Sequence, residues 1–452
     1  MNPILPASPR GHGLAVLFLT LALLSASAAL AQPGGPLPAL FPADNWWNTD
    51  VSSAPVDPHS ADLINFVGAD VRLHPDFGGD ADSFPEIYGM VYLSVPGTQP
   101  LVPVTFVEYG SESDAGAPGR PAGYPIPEEA KTQAKWIEGG YPGNANPGGD
   151  RHMLIVDRDH KILFELYHTR WNAALGRWEA GSGAVFPLDS NLRRHDGWTS
   201  ADAAGLAILP GLVRHDEVFG SGPIRHAFRF TVEESNGYVF PASHDAGGTR
   251  GALPMGARLR LKAGKNLSGY PPEVQKIFQA MKTYGLIVAD NGTNMYITGA
   301  YDSRWDNDVL NPAFASLQAS DFEVIQLGWK PAATPGNPCV PGDTRLCLNN
   351  GRFQVEAQWT ANNQNGSGHA VPMTSDTGYF WFFADTNVEV VIKVLNACGY
   401  NQRYWVYAGG LTNVRVHLTV TDTQTGAVKT YDNPRGTAFQ PVQDTSAFAS
   451  CP

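Results

Sequence analysis

Residues 150–168, DRHMLIVDRDHKILFELYH, hold two apolar runs on either side of a short polar turn at 158–159. Runs of Ile, Leu, Val, Phe and Tyr that flank such a turn predict a β-hairpin. If the turn is tight, His152 lies directly opposite Glu165, at a distance where cross-strand side chains interact. We therefore expect this hairpin to carry polar groups toward the inside of a β-rich domain.

An imidazole that faces a carboxylate on rigid strands can act as an acid/base unit, because the carboxylate fixes the ring tautomer and raises its pKa toward neutrality. The alternative is a structural His–Glu pair on a hydrated sheet face. One additional residue in the turn would place His152 and Glu165 on opposite faces, so the hypothesis depends on the register. His168, at the open end of the hairpin, is a further candidate.

The N-terminus has the pattern of a secretory signal peptide. Arg10 precedes an apolar run over 14–24, and small residues follow, ending in Ala-Leu-Ala at 29–31 before Gln32. The apolar run is too short to span a membrane. We expect residues 1–31 to be cleaved and the mature protein to be secreted and soluble, with no membrane partner.

The chain has 452 residues and a formal net charge of −12, and cleavage of the signal would remove a further positive charge. An acidic surface argues against nucleic acid and anionic membranes as partners. It also disfavours long polyanionic substrates, unless basic groups such as Arg151, Arg170, Arg193 and Arg194 are gathered locally. The length is too great for one core and predicts two or three domains.

The composition, with 48 Gly, 36 Pro and only 16% charged residues, is typical of loop-rich β architecture. A Pro/Ala/Gly/Asn-rich linker at 330–338 separates a first domain, residues 32–329 and our catalytic candidate, from a second domain, residues 339–452. The predicted fold class is mainly β. We expect a large β-sandwich or jelly-roll-like domain with a few short helices, followed by a smaller disulfide-bonded β-sandwich as an accessory domain.

All four cysteines lie in the second domain. In an exported chain this pattern favours two disulfides, most simply Cys339 with Cys347 and Cys398 with Cys451, although four cysteines allow three pairings. A zinc site is the weaker alternative, because no spacing is C-x-x-C.

Short predicted strands at regular spacing between 351 and 421 favour a β-sandwich in the second domain. Three segments carry a resemblance: CLNNGRFQVE from Cys347, DTGYFWFF from Asp376 and LTVTDTQTGAVKTY from Leu418. With them the second domain resembles the C-terminal accessory β-sandwich module of many exported bacterial proteins. That resemblance implies secretion but no chemistry. The first domain resembles only exported proteins of unassigned function, so no site residue is carried over.

In the first domain the clearest helix prediction is 271–283, where apolar residues recur at helical spacing between an initial Pro and a terminal Gly. Residues 286–290 and 295–299 predict a second hairpin around an Asn-Gly turn. The segment from Thr199 predicts a helix start with Asp202 in its first turn. Asp202 there either complements the helix dipole or lines the site.

Two further histidines are candidates. Residues 224–232 predict a strand that carries His226 on the same face as two phenylalanines. A buried imidazole needs a hydrogen-bond partner, and His244 on the following segment could lie close to it.

Motifs of Ser and Cys hydrolases, zincins and nucleotide enzymes are absent from the sequence. We predict a secreted carbohydrate-active enzyme that cleaves glycosidic bonds of a polysaccharide or oligosaccharide and needs no cofactor. A hydrolase would use two carboxylates, Glu165 and Asp202, with His152 tuning the former. A lyase acting on a uronic polymer would use a His or Tyr as base and a cation to neutralise the carboxylate. Its candidates are His152, His168, Tyr167, His226 and Arg170, and His244 completes the catalytic set.

Two segments, 41–48 and 301–308, mix Trp with Asn and Asp. Such a mixture can line a sugar site, because rings stack on a pyranose while amides and carboxylates bond hydroxyls. The second segment can equally form a structural calcium loop or a capped helix start. The predicted substrate-binding residues are Trp46, Trp47, Tyr167, Arg170, Trp171 and Trp305.

Two other classes of function stay open. One is a metal-dependent enzyme in which His152, His168, His226 and His244 form a site. Histidines at i, i+2 spacing on a strand are the strongest indication of a metal site. The four histidines do not have this spacing, so we assign no metal ligand. The other is a non-catalytic glycan-binding or adhesion protein, in which the Trp-rich segments and the second domain bind and the polar hairpin is structural.

Overall fold

A computed structural model of the protein describes residues 1, 31–114, 116, 121–191, 193–331, 336–361 and 364–451. Nearly all of the predicted signal peptide and residues 332–335 of the predicted linker lie outside these described residues. The fold is mainly β, as predicted, and contains several sheets and two disulfides. No helix in the described ranges is long and apolar enough to cross a membrane.

Among its described residues, the first domain contains sixteen short strands, four α-helices and four 3-10 turns. The strands are β1 Gln32–Pro33, β2 His74–Asp76, β3 Gly79–Asp80, β4 Ile87–Tyr88, β5 Tyr92–Val95, β6 Val104–Phe106, β7 Met153–Asp157, β8 Ile162–Tyr167, β9 Arg170–Asn172, β10 Arg177–Ala180, β11 Ser182–Pro187, β12 Phe228–Val232, β13 Arg258–Leu261, β14 Leu286–Asn291, β15 Tyr296–Thr298 and β16 Phe322–Val324. The helices are α1 Ser60–Val67, α2 His215–Val218, α3 Pro272–Thr283 and α4 Asn307–Phe314, and the 3-10 turns are Gly110–Glu112, Glu128–Lys131, Leu209–Gly211 and Ala319–Asp321.

Two sheets position the site. Sheet I has the strand order β1-β5-β7-β8-β11, and sheet II has the order β16-β13-β14-β12-β15-β2. Along β7, Leu154 and Val156 belong to the large apolar cluster that also contains sheet II, whereas Met153 and Ile155 belong to a separate cluster. Sheet I is therefore covered on both faces, and side chains in phase with Leu154 point toward sheet II.

The predicted hairpin is present as β7 and β8, but its register is different. Glu165 pairs with Leu154 rather than with His152, because the turn contains four residues, 158–161. The Asp157 side chain sets this longer turn by accepting the backbone N–H groups of Asp159 and His160 at 3.1 and 3.0 Å. Since the shift is two residues, His152 and Glu165 stay on the same face of sheet I.

The helix at 271–283 is confirmed as α3. The second predicted hairpin is wrong, because β12 lies between β14 and β15 and pairs in parallel with β14. The segment after Thr199 is not helical. There the Ser200 hydroxyl accepts the N–H of Asp202 and donates to the Leu206 carbonyl, and such local side-chain bonds compete with helix formation.

In the part of the second domain that the structure describes, two five-stranded sheets enclose a core of their own. Its elements are β17 Leu346–Leu348, β18 Phe353–Ala361, β19 Gln364–Ser367, β20 His369–Pro372, β21 Thr377–Trp381, β22 Val390–Ala397, α5 Cys398–Asn401, β23 Arg403–Gly410, β24 Arg415–Asp422, β25 Ala427–Asn433 and β26 Val442–Phe448. Both predicted disulfides, Cys339–Cys347 and Cys398–Cys451, are confirmed.

Candidate functional site

A group of ionisable side chains lies where sheets I and II face each other. His152, at the start of β7, is 4% exposed and places its Nδ1 2.7 Å from Glu138 Oε2 and its Nε2 2.9 Å from the Ala201 carbonyl. Both partners are acceptors, so both ring nitrogens must donate and the ring must be an imidazolium. Burial alone would lower the pKa of His152, but the charge and hydrogen bond of Glu138 raise it to about 9.

This arrangement does not suit the acid/base role that we predicted for His152. A protonated ring with both N–H groups engaged cannot remove a proton near neutral pH. Its partner is Glu138 from a preceding loop, whose pKa is lowered because the His152 charge and hydrogen bonds outweigh burial. His152 therefore acts as a fixed cation inside the site.

Glu165 and Asp202, the predicted carboxylate pair, lie in the interior at 0% and 1% exposure. Glu165 accepts the N–H groups of Ile208 and Leu209 at 2.8 to 3.0 Å. Burial raises the pKa of Glu165 to about 7, although these backbone bonds oppose the rise. Asp202 accepts two hydrogen bonds from Arg229 on β12, at 2.7 and 3.2 Å. Both carboxyls thus fix the segment that runs between the two sheets.

Two carboxyls at strand ends of sheet II reach solvent. The Asp290 side chain, on β14, is 32% exposed, and its Oδ2 lies 3.9 Å from Arg229 Nη2. Burial and the nearby Asp202 charge raise the pKa of Asp290 to about 6 against the opposing charge of Arg229. Asp76 ends β2 beside Thr298, whose hydroxyl accepts a 2.7 Å bond from Arg229. Burial raises the pKa of Asp76 as well, although the charge of His74 opposes it.

We call Asp76, Glu138, His152, Arg229 and Asp290 the inter-sheet cluster. Each of them interacts electrostatically with at least one other member. The cluster combines two fixed cations, the carboxylate of Glu138 that pairs with His152, and two partly exposed carboxyls of raised pKa. Asp202, which is not a member, pairs with Arg229. Such separated pKa values are what acid/base chemistry requires.

Tyr167, at the end of β8, adjoins the inter-sheet cluster. Its ring centroid lies 5.6 Å from that of His152 and 5.8 Å from that of His168. Burial, with the charges of Asp150 and Glu108, raises the pKa of Tyr167. His168 Nδ1 is 2.6 Å from Glu108 Oε1 and partly exposed. The surroundings of Tyr167 are therefore acidic.

His226 and His244 do not meet. His226 Nε2 lies 2.9 Å from Glu217, and its Nδ1 bonds the Ala227 carbonyl. His244 Nδ1 bonds the Ala203 carbonyl, and its Nε2 lies 3.8 Å from Glu112. The one group of potential metal ligands found among the described residues includes none of the four histidines of the metal hypothesis. Each of the four rings instead has a carboxylate or carbonyl partner of its own.

The predicted substrate-binding residues are dispersed. Trp47 is fully buried, and Trp305 is 8% exposed and donates to the Ala300 carbonyl. Trp171 packs against Trp178 and beneath the Lys131 ammonium. Trp46 lines the cavity between the domains, which is described below. Arg170 binds Glu179 at 2.9 Å.

Two features lie away from the inter-sheet cluster. The segment 301–308 is a capped helix start, in which Asp306 accepts the first N–H groups of α4 and Asp302 pairs with Arg304. A cavity of about 110 Å³ lies between the domains and is lined by Trp46, Phe240, Arg258, Trp329, Lys330 and Glu356, among others.

Sequence reasoning missed four members of the inter-sheet cluster. Arg229 could have been recognised from the sequence, because it is a charged residue between Phe228 and Phe230 in a predicted strand. Asp290 ends an apolar run just before an Asn-Gly turn, a position where catalytic side chains often lie. Asp76 and Glu138 carry no comparable pattern.

Comparisons of this chain with protein-family models, with curated proteins and with solved structures found no match.

Proposed function

We propose that the protein is a secreted enzyme that hydrolyses glycosidic bonds by carboxyl acid/base chemistry at the inter-sheet cluster. The observation that carries the proposal is that two partly exposed carboxyls of raised pKa, Asp76 and Asp290, each interact with the fixed cation Arg229. Glycoside hydrolysis needs one protonated carboxyl to assist the leaving oxygen and one ionised carboxyl as base or nucleophile. Asp290, with the pKa of about 6, is the acid, and Asp76 is the partner.

Hydrolysis fits these residues better than elimination does. A lyase needs a neutral His or an ionised Tyr as base, whereas His152 is held as a cation and the pKa of Tyr167 is raised. The carboxylates around Tyr167 would also repel the negative charges of a uronic polymer. The basic groups that could offset them are engaged, Arg170 by Glu179 and Arg194 by Asp114. The substrate class we propose is a neutral or amino-sugar glycan.

The test is release of reducing ends from a panel of neutral, amino-sugar and uronic glycans, with ultraviolet absorbance recorded for unsaturated products. We expect Asp290→Asn to reduce kcat/KM by about 100-fold or more while the melting temperature changes by only a few degrees. The matched control is Asp62→Asn on the exposed face of α1, which should keep wild-type activity. Wild-type kcat/KM should fall as the pH rises above about 6, where Asp290 loses its proton.

Three results would reject the proposal. If no glycan in the panel yields a product, glycosidic cleavage is excluded. If Asp290→Asn keeps full activity, the inter-sheet cluster is not the catalytic site. Binding without any product, in the wild type and in Asp290→Asn alike, would indicate a glycan-binding protein.

A further inference from the structure

Three side chains from both domains meet outside the inter-sheet cluster. His195 comes from the first domain, in the loop that follows β11, whereas Asp343 and His369 come from the second domain. One potential ligand atom from each lies within 4.8 Å of the others. His369 Nδ1 is 2.7 Å from Asp343 Oδ2, and the His369 side chain is 6% exposed.

Aromatic rings hold the two imidazoles in place. The His369 ring stacks on Trp381 with centroids 3.9 Å apart, and the His195 centroid lies 4.7 Å from that of His369. His195 also packs edge-on against Trp198, at 5.0 Å. Rings fixed in this way lose little freedom when they bind an ion, which lowers the entropic cost of binding.

We propose that His195, Asp343 and His369 bind one divalent transition metal ion such as Zn²⁺, and that the ion joins the two domains. Two imidazoles and a carboxylate are ligands that Zn²⁺ accepts, whereas Ca²⁺ and Mg²⁺ prefer oxygen alone. In a tetrahedral zinc site, ligand atoms about 2.0–2.1 Å from the ion lie about 3.3 Å apart. The three ligand atoms lie within 4.8 Å of one another, so binding of the ion would draw them closer together and leave the fourth position open to a water.

The weakness of the ion pairs near the domain boundary indicates that the ion would stabilise the docked arrangement of the domains. Among the ion pairs of the described residues, Arg345 lies 3.5 Å from Asp44 of the first domain, and Lys330 of the linker lies 3.8 Å from Glu356; such partly exposed pairs contribute little. An ion with ligands from both domains binds only the docked arrangement, so it stabilises that arrangement by mass action. The cavity between the domains, which Arg345 also lines, would keep its shape only while the domains are docked.

The test uses the full chain, produced without an affinity tag and stripped with a chelating resin. Calorimetric titration with ZnCl₂ should give one equivalent per chain. His195→Ala and His369→Ala should each weaken binding by about 100-fold or more. His59→Ala, an exposed histidine on the first domain, is the control and should leave binding unchanged. His195→Ala leaves the Asp343–His369 pair intact, so it reports on the site even if His369→Ala fails to fold.

A second measurement tests the link between the domains. Zn²⁺ should slow proteolytic cleavage within 330–338 in the wild type and in His59→Ala, but not in His195→Ala. No stoichiometric Zn²⁺ binding by the wild type overturns the site. Binding that survives His195→Ala and disappears in His369→Ala places the ion within the second domain alone and overturns the link.

Discussion

Replacing Glu138 with Gln tests whether His152 is held as a cation. The folded-state pKa of His152 is about 9, against 6.5 for the ordinary side chain, so the folded protein binds this proton more tightly than the unfolded chain. The resulting stability is complete below pH 6.5 and is lost as the pH rises through about 9. At about 1.4 kcal/mol for each tenfold change in proton affinity, the contribution is about 3 kcal/mol. This agrees with the 3–5 kcal/mol typical of breaking a buried ion pair.

Urea unfolding of the wild type and of Glu138→Gln between pH 6 and pH 10 gives the measurement. We expect the variant to be less stable by about 3 kcal/mol at pH 6, and the difference to shrink toward zero near pH 10 because neutral His152 no longer needs the carboxylate. His160→Gln is the control, since His160 pairs with Asp157 but is 62% exposed, and its loss should matter little. A difference below about 1 kcal/mol at pH 6, or one that does not depend on pH, would refute the reasoning.

Two further predictions concern stability. Asp202→Asn should cost about 3–5 kcal/mol, because it leaves the buried Arg229 charge without its main partner. Glu165→Gln should cost only about 1 kcal/mol at pH 6, because a carboxyl with a pKa of about 7 is already largely neutral there and the amide oxygen accepts the same N–H groups. Equal losses of stability for Asp202→Asn and Glu165→Gln in thermal unfolding would contradict this contrast. Removing Cys398–Cys451, which spans 53 residues, should destabilise the second domain by about 4 kcal/mol, against about 2.5 kcal/mol for the 8-residue Cys339–Cys347 loop. Denaturant unfolding of the two Cys→Ser pairs measures both values, and the reverse order would contradict the loop-entropy argument.

Local features of the fold could be predicted from the sequence. The spacing of apolar residues predicted α3, and the polar turn predicted β7 and β8. The clustering of cysteines favoured the observed disulfide pairing over the two other possible ones. The register of β7 and β8 could not be predicted, because it depends on which backbone groups the Asp157 side chain accepts. The position of β12 between β14 and β15 is a pairing between strands far apart in sequence, and no local pattern encodes it.

The site was predictable only in part, for the same reason. The sequence placed an imidazole–carboxylate pair on the inner face of sheet I, and the structure has His152 there with a carboxylate partner. That partner, Glu138, comes from a loop, and the partly exposed carboxyls come from two strands of sheet II. A tertiary contact between two sheets brings these groups together, so neither periodicity nor spacing could select them.

The charges of the interior explain why the site carries protonated acids. Arg229 and His152 are each neutralised by a directly bonded carboxylate, Asp202 and Glu138 respectively. The nearby carboxyls that remain, Asp76, Glu165 and Asp290, lie in the same low-dielectric region with no full counter-charge left for them. All three have raised pKa values, and two of the three reach solvent. An excess of carboxyls over cations in this region therefore raises the pKa of Glu165 to about 7 and that of Asp290 to about 6, and Asp290 is the one of these two that reaches solvent.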